Sequence, residues 1–314
     1  MSINRRLFIK RSLQVAGAAA LSQVPLSASA YNDHPEWTKL MILHTNDWHS
    51  RVEPFPMDGG KYQGFGGAAR RAAMIRDIRA NEEHLLLLDS GDVFQGTPYF
   101  NYFHGELEFK LMSYMGYDAA TLGNHDFDAG LEGLQKVLPL AKFPFLTANY
   151  DFSETILKDA FKPYKIFKKG PLRIGVFGIN IELKGLVSEA SCGKTKYLDP
   201  IEKANEIATH LKLDKQCDFI ICLSHLGYKY DNNKVSDLVL AQNTRYIDLI
   251  LGGHTHTFLD VPDIVRNLEG RDVMINQVGW AGINLGKLEF YFDKKRKLND
   301  VKAHTVIISK NTIG

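Results

Sequence analysis

The chain has 314 residues, 45% hydrophobic and 24% charged, with 38 basic against 36 acidic side chains. That balance excludes the basic footprint of a general nucleic-acid binder. Three cysteines, Cys192, Cys217 and Cys222, are too few and too unevenly placed for a disulfide framework or a thiolate zinc site.

Residues 1–30 read as a twin-arginine signal peptide. Asn4-Arg5-Arg6-Leu7-Phe8-Ile9-Lys10 is followed by a mild apolar stretch, Leu13 to Leu26, and by the small residues Ala28-Ser29-Ala30. The stretch is too short to span a bilayer, and no Cys stands ready for a lipid, so no stable membrane anchor is expected. The expectation is a periplasmic or secreted protein. Removing the leader takes away Arg5, Arg6, Lys10 and Arg11 and no acidic residue, leaving 34 basic against 36 acidic.

Residues 31–314 carry no internal repeat, low-complexity tract or linker and read as a single domain. Apolar runs of strand length recur at Leu40–His44, Leu85–Leu88, Ala119–Leu122, Phe145–Ala148 and Leu172–Ile179. Others follow at Phe219–Leu223, Ile247–Leu251, Val273–Val278, Leu285–Phe292 and Val301–Ile308. Several are apolar without alternation, as strands covered on both faces are. Between them, Ala68, Ala72, Ile75 and Ile78 form one helical stripe, and Leu107, Leu111 and Tyr114 another. Asp199-Pro200-Ile201-Glu202 has the cap, proline and glutamate of a helix start, with Ile201, Ala204, Ala208 and Leu211 as its buried face. Lys294–Lys297 reads as a solvated hairpin tip. Cys222 reads as core, and a Cys192–Cys217 bridge is left open. Strand–helix alternation ending in strands predicts an α/β fold of two packed sheets flanked by helices.

Five short segments concentrate the chemistry: Asp47-Trp48-His49, Gly91-Asp92, Gly123-Asn124-His125-Asp126, His225, and Gly252-Gly253-His254-Thr255-His256. Each follows an apolar run, so Asp47, Asp92, Asn124, His225 and His254 all fall just past a strand end. In layered α/β folds such ends converge on one edge. An extended loop at Asp47–His49 points both side chains the same way. Carboxylate, imidazole and amide donors without thiolate suit Mn, Zn, Fe, Co or Ni. His44 lies within a strand and reads as core. His34, His84, His104, His210 and His304 carry no partner pattern. Trp48, Phe55, Phe94, Tyr99 and Phe100 stand near the loops and are candidates for a site mouth or for packing.

The order D-x-H, GD, GNHD, H, GHxH resembles the calcineurin-like metallophosphoesterase superfamily. Leu43–Ser50, Gly123–Asp128, Gly66–Arg70, Ile247–His256 and Asn276–Gly279 are similar to the 5′-nucleotidase family within it. The resemblance spans residues 38–310 and implies a four-layer α-β-β-α sandwich of two mixed sheets. It implies two divalent metal ions. One would be held by Asp47, His49, Asp92 and His256, the other by Asp92, Asn124, His225 and His254, with Asp92 bridging.

His125 would face the phosphate, oriented by Asp128, with Asn124 as ligand and phosphate donor. Asp126 stands where the family often has Glu and is expected to be structural. The implied activity is hydrolysis of phosphate esters, nucleotides above all, by a metal-bound hydroxide. A thiosulfohydrolase acting on a sulfur ester is the alternative. Secreted relatives carry a C-terminal domain that sandwiches the base; its absence here predicts either a broad esterase or a catalytic half served by a separate substrate-binding polypeptide.

Overall fold

The computed structural model describes residues 36–310. The chain separates into two units, Met1–Trp37 and Thr38–Gly314, and every described strand and helix belongs to the second. The signal peptide expected at residues 1–30, and His34, lie outside the described residues.

The strands are β1 (Thr38–Thr45), β2 (Leu85–Asp89), β3 (Ala119–Ala120), β4 (Tyr150–Asp151), β5 (Tyr164–Lys169), β6 (Leu172–Ile179) and β7 (Lys196–Tyr197). They continue with β8 (Phe219–Ser224), β9 (Leu249–Leu251), β10 (Asp263–Arg266), β11 (Asp272–Asn276), β12 (Asn284–Phe292) and β13 (Leu298–Ile307). The α-helices are α1 (Ala68–Ala80), α2 (Pro98–Phe103), α3 (Glu106–Met115), α4 (Gly130–Val137), α5 (Glu189–Cys192), α6 (Pro200–Thr209) and α7 (Asp237–Gln242).

Two mixed sheets form, ordered β13-β12-β1-β2-β3 and β10-β11-β9-β8-β6-β5. In the first, β1, β2 and β3 are parallel and β12 and β13 pair antiparallel; in the second, β6, β8, β9 and β11 are parallel between antiparallel β5 and β10. The period of two explains the unbroken apolar runs. From β1, Leu40 and Ile42 enter the core between the sheets, with Leu86 and Leu88 of β2 and Phe219, Ile221 and Leu223 of β8. The intervening Met41, Leu43, Leu85 and Leu87 face out onto α1, α3 and α4. On the far side Ile220 and Cys222 pack against Ala204 and Ala208 of α6 and Leu240 of α7. Four layers with three cores result, as the resemblance implies.

Local signals held where the chemistry was local. The Asp199 side chain accepts from Glu202 N at 2.8 Å, with Pro200 in the first turn. Lys294–Lys297 forms the tight connection between β12 and β13.

Two expectations need correction, and one strand carries no signal in the sequence. The buried face of α3 is Glu108, Phe109, Met112 and Met115, and Tyr114 is 79% exposed. Phe145–Ala148 is no strand: single bridges tie Phe145 to Ala120 and Leu146 to Lys162. β5, at a sheet edge, has no clear sequence signal because lysines interrupt its apolar pattern. All three cysteines are free, and Cys192 and Cys217 belong to different cores.

His44 is fully buried and its Nε2 lies 3.0 Å from Asn276 Nδ2. Burial lowers its pKa from 6.5 to about 3. The unfolded chain binds this proton below its ordinary pKa and the folded chain does not until far lower. His44 therefore contributes full stability above pH 6.5 and loses it progressively as pH falls toward 3. Urea unfolding of His44→Leu beside the parent should show a gap that narrows between pH 7.5 and pH 5; a constant gap would remove the histidine from the acid limb. Among the described residues, no helix is long and apolar enough to cross a membrane.

Candidate metal centre

The parallel strands of both sheets end at one edge, and the expected ligands sit there. Asp47 follows β1, Asp92 follows β2, Asn124 follows β3, His225 follows β8, and His254 and His256 follow β9. Asp47, His49 and His256 form one close group of donor atoms; Asp92, His225 and His254 form another. Asn124 joins the second, its Oδ1 2.8 Å from His254 Nδ1. Asp92 lies between the groups, with Oδ2 3.1 Å from His225 Nε2 and 3.8 Å from His49 Nε2.

The loop at Asp47–His49 is not extended. Asp47 and His49 both have φ near +50°, as do Asp92 (56°) and His256 (51°), with His254 at 70°. Five of the seven expected ligands thus hold a left-handed backbone that costs a non-glycine residue roughly 1–3 kcal/mol. An i, i+2 pattern in sequence does not distinguish this tight conformation from a strand-like one. The backbone is held by its neighbours: Asp47 N donates to Gly91 O, His49 N to Asp92 O, and His254 N to both Asp47 carboxylate oxygens at 3.0 Å.

The donors fit a cation. His225 Nδ1 donates to Ser90 O at 2.6 Å, which leaves its buried Nε2 without a hydrogen-bond partner beside the Asp92 carboxylate. Burial opposes charge on this ring, yet the Asp92 carboxylate beside it draws the pKa up to about 10. His49 Nδ1 faces Phe94 O at 3.2 Å, which turns its Nε2 toward His256 Nε2 at 2.9 Å, with Asp47 Oδ1 3.3 Å from the latter. Two imidazole nitrogens and a carboxylate oxygen at such distances are a ligand set. Burial also lowers the pKa of His49, and that of His254 to about 4, keeping both rings neutral and their lone pairs available.

Gly123 of the GNHD segment is needed for space: a Cβ there would overlap Asp92 Oδ1. Asn124 opens a single 3-10 turn, His125–Phe127, that carries the rest of the segment. His125 Nδ1 lies 2.8 Å from Asp128 Oδ2, and its ring is 5.3 Å from that of His49. The hydrogen bond to Asp128 raises the His125 pKa against partial burial. Asp126 is fully buried and accepts four backbone N–H groups, from Asp92, Val93, Phe94 and Gly123, at 2.7–3.3 Å. It shapes the Asp92 loop from beneath.

Several supports are not legible in the sequence as functional residues. Asn46 bonds the Asp47 carboxylate, Gly279 O and Val278 N, and Gln277 bonds Gly253 O and Thr255. Their signals are the Leu43–Ser50 segment for Asn46 and the Asn276-Gln277-Val278-Gly279 segment for Gln277. Trp48, Phe94 and Phe100 are core, and Phe55 joins a separate cluster with Tyr62 and Trp280. His210, without a pattern in sequence, pairs with Tyr164 and Asp214.

Fold and donor groups together define a metallophosphoesterase architecture. Residues 40–258 match the profile of the calcineurin-like phosphoesterases, and the chain belongs to that family. It is 36% identical over 297 residues to a snake venom 5′-nucleotidase of Gloydius brevicauda, covering 87% of this chain and 48% of the relative. It is 31% identical to the 5′-nucleotidase of Homo sapiens, covering 95% and 54%. The crystal structure of a 5′-nucleotidase precursor from Thermus thermophilus superposes with a TM-score of 0.79 at 35% identity, covering 87% and 55%. The chain spans about half the length of the curated relatives it matches.

Proposed function

We propose that this protein hydrolyses phosphate esters of nucleotides with two divalent ions, one held by Asp47, His49, Asp92 and His256 and the other by Asp92, Asn124, His225 and His254. The observation that carries the reading is the meeting of two donor groups, with Asp92 between them, beside the His125–Asp128 pair. Nucleotides are favoured because 5′-nucleotidases from snake venom, human and Thermus thermophilus match most of this chain.

Bound divalent ions supply Lewis acidity, acidifying a water and neutralising phosphate charge. The chain does the rest. Asp128 keeps the His125 ring aligned and protonated, so that it stabilises charge on the phosphate and gives a proton to the leaving oxygen. Asn124 contributes a neutral oxygen that leaves the charge of the centre moderate. Ser90 O and Phe94 O fix the tautomers of His225 and His49, keeping each Nε2 on the centre. The twin-arginine run at Arg5-Arg6 and the Ala28-Ser29-Ala30 segment support export of the folded protein to the periplasm or beyond.

Phosphate release from AMP, UDP-glucose, a 2′,3′-cyclic nucleotide and p-nitrophenyl phosphate tests the reading, on protein reconstituted with Mn, Zn, Fe, Co or Ni in turn. Chelator-sensitive turnover that prefers a nucleotide is expected. Sulfate release from a thiosulfonate substrate without phosphate release would instead make the chain a sulfur-ester hydrolase.

A further inference from the structure

The imidazoles at the strand ends are not held alike. His49, His225 and His254 each have Nδ1 against an oxygen, from Phe94, Ser90 and Asn124 respectively. For His256, no Nδ1 partner appears among the described residues, its side chain is 39% exposed, and its φ is 51°. Its Nε2 faces His49 Nε2 at 2.9 Å, and the face of its ring lies on Trp280. The indole and imidazole planes differ by 6° with centroids 5.5 Å apart, an offset stack.

The stack is built rather than incidental. Phe55 meets the Trp280 ring edge-to-face at 5.7 Å and Tyr62 at 6.4 Å, so the indole is braced from its outer side. The backbone of its turn is tied to both ligand loops. Ala281 N donates to Asp47 O at 2.7 Å, Gly279 N to Thr257 O at 2.9 Å, and Asn46 Nδ2 to Gly279 O at 2.6 Å. Trp280 therefore keeps a fixed register to Asp47 on one side and to the His256 loop on the other.

We propose that Trp280 is the positioning residue of His256 and sets the affinity of the Asp47–His49–His256 group for its divalent ion. The inference rests on the two-ion reading of the proposed function. A half-exposed imidazole whose Nδ1 has no hydrogen-bond anchor must surrender ring freedom when it ligates, and the stack removes that freedom beforehand. An indole face also attracts the positive charge that an imidazole acquires on binding a cation. The two ions are consequently held unequally: His225 and His254 have Nδ1 against Ser90 O and Asn124 Oδ1, whereas His256 of the other group depends on an aromatic face at its rim.

The test is calorimetric titration of the metal-stripped full-length protein with Mn2+. The parent should take up two equivalents. Trp280→Leu, which keeps apolar bulk, should weaken one equivalent by about 10–100-fold and leave the other unchanged, whereas Trp280→Phe should keep most of the affinity. His256→Ala should weaken the same equivalent, and Trp280→Leu should add nothing in that background. Equal isotherms for parent and Trp280→Leu would overturn the proposal, as would a further loss in the His256→Ala background. Thermal melting of the stripped variants is expected to stay within a few degrees of the parent, and Trp280→Phe keeps the comparison decisive if Leu unfolds the turn. A parent that binds no Mn2+ would overturn the two-ion reading itself, a result distinct from two intact equivalents in every variant.

Discussion

Replacing His125 by Ala is expected to lower AMP turnover by roughly 10²–10⁴-fold while leaving two equivalents of Mn2+ bound. The residue's hydrogen bond to the ligand groups is made by its backbone, whose N–H donates to Asp92 Oδ1 at 2.8 Å, and Ala retains that bond while losing the edge contact to the His49 ring. The loss should be smaller with p-nitrophenyl phosphate, whose leaving oxygen needs no proton. An equal loss on both substrates would assign His125 to charge stabilisation on the phosphate alone. Asp128→Asn removes the main cause of the raised His125 pKa. On the proposed role, in which the protonated ring is the active form, the alkaline limb of the pH–rate profile should then move to lower pH. Steady-state kinetics between pH 6 and 10 on the three proteins decide these points, and a His125→Ala variant that also loses its metal would show that the ring is structural.

Asp126→Ala should destabilise the folded chain by roughly 4 kcal/mol or more, at the extreme of single substitutions. Its carboxylate satisfies four buried backbone donors, and an orphaned buried donor costs roughly 1–3 kcal/mol. Asp126→Asn keeps the shape but turns an amide NH2 toward N–H groups, so an intermediate loss is expected. Urea unfolding of the metal-stripped proteins reads both. An Asp126→Ala variant as stable as its parent would mean that water replaces the carboxylate, and the Asp92 loop would then owe its shape to Gly91 and Gly123 instead.

The layers and the ligand positions are legible in the sequence because both rest on local patterns. Unbroken apolar runs at Leu85–Leu88 and Phe219–Leu223 are what two covered faces require, and each run is followed within four residues by an ionisable or amide donor. What is not legible depends on tertiary contact. Asp126 is expected to be structural from the resemblance alone, and the four amides it serves appear only when the turn folds. Trp280 lies 24 residues past His256 and shares no motif with it; only the return of the chain after β11 brings the rings together. The backbone at Asp47 and His49 reads as extended because aspartate and histidine tolerate both conformations, and the choice of the left-handed one is made by Gly91 O and Asp92 O.

The span of the chain over which the centre is assembled has a consequence in time. His254 N closes on Asp47 across 207 residues, and β1, the middle strand of its sheet, waits for β12 as its antiparallel partner. At a synthesis rate of about 5–20 residues per second, the stretch from Asp47 to Ala281 takes on the order of 10–50 s to appear. An ion that met the nascent chain early would find Asp47, His49 and Asp92 without any of the later imidazoles. Tight loading accordingly belongs to the finished chain, and mis-metallation by a scavenging ion would be decided by what surrounds the protein after its release from the ribosome.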